Sequence, residues 1–79
     1  MADNIQTSKI EWRNEEHRST GVEMWYPVVE AGAMPRFRVE RLGEGLMSRN
    51  WKASDLFLGQ EVSYVRLEDA LEWCEWQLV

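Results

Sequence analysis

LEDALEWCEWQLV, residues 67–79, is the stretch whose reading decides the fold, because it alone has an unambiguous period. At 100° per residue, Leu67, Ala70, Leu71, Cys74 and Leu78 fall in one stripe, at i, i+3, i+4, i+7 and i+11. No Gly or Pro interrupts the run, and Leu, Ala, Glu and Gln are good helix formers. Glu68 and Asp69 lie in the first turn, where carboxylates meet the positive end of the helix dipole. Arg66 stands at the N-cap, where Ser, Thr or Asp is preferred, and Ser63 offers a cap one turn earlier. The spacing predicts an amphipathic helix over 67–79 that buries its stripe against a sheet.

The other faces of this helix hold the candidate site. Glu68, Asp69, Glu72 and Glu75 cluster away from the stripe, with Trp76 projecting among them and Trp73 on the opposite flank. The plainer reading is a solvated acidic face, with Trp73 covering the sheet and Trp76 folded over its own helix. The sharper one is that Trp76 within a carboxylate rim anchors a partner, since Trp is over-represented at binding hot spots.

Upstream, the pattern changes to period two. KIEWR (residues 9–13) alternates and reads as a half-buried strand with Ile10 and Trp12 on one face. NEEHRSTG (14–21) reads as a loop. VEMWYPVVE (22–30) is β-branched and aromatic; Pro27 predicts an edge strand, and Trp25 falls with Glu23 on the face assigned to solvent. That placement adds Trp25 to the candidate partner-binding residues. AGAMP (31–35) is a turn, and RFRVERL (36–42) is a strand with Phe37 and Val39 inward. Arg36 and Arg38 are expected across from Glu23 or Glu30. LMSRNWK (46–52) is a weaker strand, and residues 53–55 break the pattern. DLFLGQE (55–61) reads as a loop plugging the core or a helical turn ended by Gly59, and VSYV (62–65) as a last strand or a lead into the helix. Together these predict an α+β fold: an antiparallel meander of three to four strands with one C-terminal helix packed on a face. Residues 1–79 form a single domain, with 1–7 frayed.

Composition bounds the class. A chain of 79 residues is near the lower limit for a self-sufficient core, and five Trp, two Tyr and two Phe supply large apolar side chains to fill it. A single Cys excludes an internal disulfide, the start has no apolar run of the signal-peptide kind, and no stretch is long enough to span a bilayer, so a cytoplasmic protein without membrane attachment is expected. The net charge of −5 argues against direct nucleic-acid binding. It is unevenly spread: residues 36–54 hold five basic and two acidic side chains, and 55–79 hold one basic and six acidic.

Signals for chemistry are few. One His and one Cys, far apart, do not make a metal site, and no phosphate-binding or nucleophile motif occurs. Cys74 lies on the core stripe, where a thiol is usually an inert small hydrophobe, and His17 sits in a polar segment. No catalytic residue, metal or cofactor is expected, and the chain reads as a non-enzyme.

The closing pattern LEDALEWCE (67–75), after a short aromatic-rich sheet, resembles small acidic proteins of phages and mobile elements. Size, acidity and aromatic load are similar to those of anti-CRISPR inhibitors of bacterial defence. The resemblance covers the helix alone and departs from the pattern at Arg66. It implies stoichiometric binding to another protein or protein complex, and no site residues. The alternatives are a structural subunit or homodimer that hides the outer Trp residues, and an acidic DNA mimic.

Overall fold

The computed structural model describes residues 4–16, 22–42 and 50–78. Its strands are β1 (Asn4–Gln6), β2 (Glu11–Glu16), β3 (Glu23–Pro27), β4 (Phe37–Arg41), β5 (Trp51–Asp55) and β6 (Gln60–Tyr64), followed by the helix α1 (Leu67–Trp76). All six strands form one antiparallel sheet whose order follows the chain, β1-β2-β3-β4-β5-β6. The predicted α+β meander with a C-terminal helix is present, with six strands where the sequence predicts three to four. Among the described residues no helix is long and apolar enough to cross a membrane.

Register explains the core. Trp25 pairs with Val39, Val39 with Ala53 and Ala53 with Val62, so these side chains form one row on one face. Ile5, Trp12 and Pro27 form the next row on the same face. Trp12, Val39 and Ala53 are fully buried, and Phe37 and Trp25 nearly so. Helix α1 covers the β4–β6 half of this face and packs most closely on β5. Small side chains allow that approach: Ala53 on the sheet meets a helix face of Ala70, Leu71 and Cys74, all buried. Over the β1–β3 half the indoles themselves fill the face. Their polar edges are satisfied, since Trp12 Nε1 donates to Thr7 Oγ1 at 3.3 Å and Trp25 Nε1 to Glu23 Oε2 at 2.9 Å. The opposite face is charged, with Lys52 between Glu40 at 3.1 Å and Glu61 at 3.3 Å.

Several expectations are corrected. Trp25 belongs to the core, 5% exposed, so it is the face carrying Met24 and Tyr26 that turns outward. Glu23 beside it gave a false polar signal, because that carboxylate serves the indole N–H. Strand β3 is interior rather than an edge. Val28 N–H donates to the Glu11 backbone carbonyl at 2.8 Å, which aims residue 27 toward β4, and the β3–β4 ladder ends at Trp25 and Val39 before Pro27 could break it. The strand β1 replaces part of the frayed start because Ile5 pairs with Trp12 and packs on the core. The pairing of β2 continues through Asn14, Glu15 and Glu16, residues predicted as loop. Residues 53–55 do not break a strand; they are its buried end. The strand predicted over 46–52 falls mostly outside the described residues.

Two polar residues are buried among those described, Ser54 and Asp55. Asp55 is fully buried, and Arg36 grips it through Nη2 at 2.9 Å and Nε at 3.2 Å. Arg36 therefore does not pair with Glu23 or Glu30, and Arg38 approaches Glu40 at 3.7 Å. Asp55 Oδ1 also accepts the N–H groups of Phe57 and Leu58 at 3.1 and 3.2 Å, shaping the β5–β6 turn. Gly59 closes that turn at φ 71°, donating to Asp55 O at 2.8 Å. The side chains of Leu56, Phe57 and Leu58 point to solvent rather than plugging the core.

Candidate functional site

Helix α1 places the candidate residues by its phase. Arg66 at the N-cap makes no side-chain capping bond, as its type predicts. Ala70, Leu71 and Cys74 are buried, Leu67 and Trp73 are half-buried against the core, and Trp76 is 65% exposed. Leu78 leaves the predicted stripe and is exposed. The reason is a tightened end: Gln77 N–H reaches Cys74 O at 3.1 Å and Leu78 N–H reaches Glu75 O at 3.0 Å, three-residue bonds that shift the phase.

Between α1 and the first hairpin runs an apolar groove of about 490 Å³. Ile5, Thr7, Ser8 and Lys9 line it from the hairpin side, and Leu67, Leu71 and Trp76 line it from the helix, together with the carboxylates Glu68, Glu72 and Glu75 that form its acidic rim. Its size lies in the range of about 300–1,000 Å³ usual for binding pockets. On the other side of the helix a shallower depression of about 220 Å³ is lined by Tyr64, Asp69, Glu72, Trp73 and Trp76. Glu72 and Trp76 thus stand on a ridge between two hollows, joined by Trp76 Nε1 donating to Glu72 Oε1 at 3.4 Å.

The three rim carboxylates differ. Glu68 meets Arg66 at 3.5 Å, both well exposed, a pairing of small energetic weight. Glu72 faces solvent. Glu75 is half-buried and accepts a hydrogen bond from Ser8 Oγ, which ties the helix to the β1–β2 turn. Burial alone pushes the Glu75 carboxyl up. The hydrogen bonds from Ser8, Thr7 and the Lys9 backbone, with the Lys9 charge, outweigh it and hold Glu75 below the usual carboxylate range. The last turn of α1 holds no basic residue. The compensating cation near Glu75 therefore comes from Lys9 on the hairpin and not from the helix itself.

Of the candidate residues, Glu68, Glu72, Glu75 and Trp76 come together at the groove, Asp69 and Trp73 lie across the ridge, and Trp25 lies elsewhere, inside the core. The sequence reading missed Ile5, Thr7, Ser8 and Lys9. A lone β-branched apolar residue in a polar start, at Ile5, was the available signal.

Reactive groups are scarce. The buried Cys74 thiol is pushed up to about 12, by burial first and then by the charges of Asp55 and Glu75, so it stays protonated at neutral pH. Among the described residues no three His, Cys, Asp or Glu side chains converge to hold a metal ion, and His17 lies outside them. No protein-family model matches the chain, and comparison with curated proteins and with solved structures gave no match.

Proposed function

We propose that this protein is a non-enzymatic binding module that docks another protein in the groove between α1 and the β1–β2 hairpin. The observation that carries the reading is Trp76, a large aromatic left 65% exposed on the wall of an apolar groove. A chain this short gains stability by burying its indoles, and Trp12 and Trp25 are buried with their N–H groups bonded. An indole held out at a groove is available to a partner, and Trp at the centre of an interface commonly dominates its energy. The resemblance of the closing helix to phage proteins extends the proposal to a stoichiometric inhibitor of a bacterial defence complex.

This reading is favoured over DNA mimicry by the apolar side chains that line the groove beside the carboxylates, Ile5, Leu67, Leu71 and Trp76, which a mimic of a phosphate row does not need.

The test is affinity capture with the wild-type chain, with Trp76→Ala/Glu72→Lys, and with Glu15→Lys as a control on the opposite sheet face. A partner retained by the wild type and the control but lost with the double variant supports the proposal, provided circular dichroism shows all three folded. An identical retained set for all three overturns it.

A further inference from the structure

We propose that the segment filling this groove is basic as well as apolar: a large hydrophobic side chain with Lys or Arg beside it, on another protein. The inference rests on the groove being the docking site and adds the chemistry of the partner.

Three features of this side of the helix point to a cation. The rim holds Glu68, Glu72 and Glu75 against one basic wall residue, Lys9, whose charge already acts on Glu75. Glu75 is ionised at neutral pH, because the hydrogen bonds it accepts exceed the effect of its burial. The last turn of α1 carries no basic residue, so the helix supplies no cation of its own at its negative end. A Lys or Arg from a partner would stand where a basic last-turn residue favours a helix end. Trp76 adds a π-face in the groove wall, which favours a guanidinium over an acid.

The apolar lining sets the second requirement. Ile5 and Leu67, both half-buried, offer no polar side-chain group to a ligand, so a purely polar cation would leave them uncovered. An acidic or phosphate-bearing ligand would meet like charge along the whole helix side.

The experiment uses the full chain and two blocked helical peptides with the same Leu spacing, one carrying Lys and Arg at its polar positions and the other Glu, followed by calorimetry. The Lys/Arg peptide is expected to bind and the Glu peptide not. Trp76→Ala and Glu72→Lys are each expected to weaken binding about tenfold or more, with Glu15→Lys changing it less than about twofold. Unfolding midpoints in urea confirm that the variants remain folded. Binding of the Glu peptide with sensitivity to Trp76→Ala overturns the basic partner and leaves the groove as a docking site. Equal weakening by Glu15→Lys reduces the effect to general attraction by a net charge of −5 and overturns the proposal. Absence of any binding sensitive to Trp76→Ala, with both peptides, overturns the proposal and the docking groove together.

Discussion

Replacing Asp55 by Asn tests the anchoring of the β5–β6 turn without changing its shape. The carboxylate is fully buried and receives Arg36 from one side and the N–H groups of Phe57 and Leu58 from the other. Asn retains an oxygen for the two backbone donors but turns an NH₂ donor, or an uncharged oxygen, toward the guanidinium. Losing a charge-assisted fork of this kind costs about 2–3 kcal/mol, given that hydrogen bonds to charged groups contribute roughly 1.5–3 kcal/mol. A domain of 79 residues has a total stability of about 4–12 kcal/mol, so the melting temperature should fall by about 10–20 °C.

The pH dependence of that difference carries the sharper test. Arg36 first, then the Leu58 and Phe57 N–H groups against the opposing effect of burial, hold the Asp55 carboxyl below its ordinary value. A depressed carboxylate contributes stability that is fully present above its unfolded pKa, near 3.9, and is lost as pH falls through the lower folded value. Urea unfolding followed by Trp fluorescence should therefore show the full gap between wild type and Asp55→Asn at pH 7 and pH 5. The gap should shrink steadily below about pH 4. The other carboxylates titrate in both proteins and cancel. Equal urea midpoints at pH 7, or a gap that persists undiminished at the lowest pH at which both proteins fold, would refute the reasoning.

Other expectations follow from burial. Trp25→Ala should cost about 3–5 kcal/mol in urea denaturation, as removal of a core indole does, whereas an exposed Trp25 would give a change within about 0.5 kcal/mol. Cys74 in the folded protein at pH 8 should react with a disulfide reagent on the order of a thousandfold more slowly than in the urea-unfolded chain, because so little thiolate forms. Comparable rates in the two states would contradict its burial on the stripe.

The legible part of this fold was its periodicity. The α1 stripe, the inward pair Phe37 and Val39, and the pair Ile10 and Trp12 all followed from spacing, and all but the two ends of the stripe are buried. What failed were judgements from residue type. Pro27 signified an edge, yet an interior strand tolerates it where a ladder ends. Glu23 signified an outer face, yet it bonds the indole of Trp25. Asp55 signified a loop, yet a buried carboxylate is stable when a distant Arg36 satisfies it, and that contact spans 19 residues. Half of the candidate site was legible because it lies on one helix. The other half, Ile5 to Lys9, depends on a contact between Ser8 and Glu75 across 67 residues, beyond any local pattern.

That same contact has a kinetic side. Each strand of the sheet pairs only with its neighbours in the chain, so the sheet closes through short loops whose entropic cost is small. The bond from Ser8 to Glu75 is of the opposite kind, joining the first hairpin to the final element. By its span, closure of this contact is expected to follow the hairpins, and its opening to come early among sub-global fluctuations. Opening it would part the hairpin side of the groove from the helix side. A ligand seated there would act as a clasp, slowing hydrogen exchange along β1 and α1 together and leaving the exchange of β4 and β5 nearly unchanged.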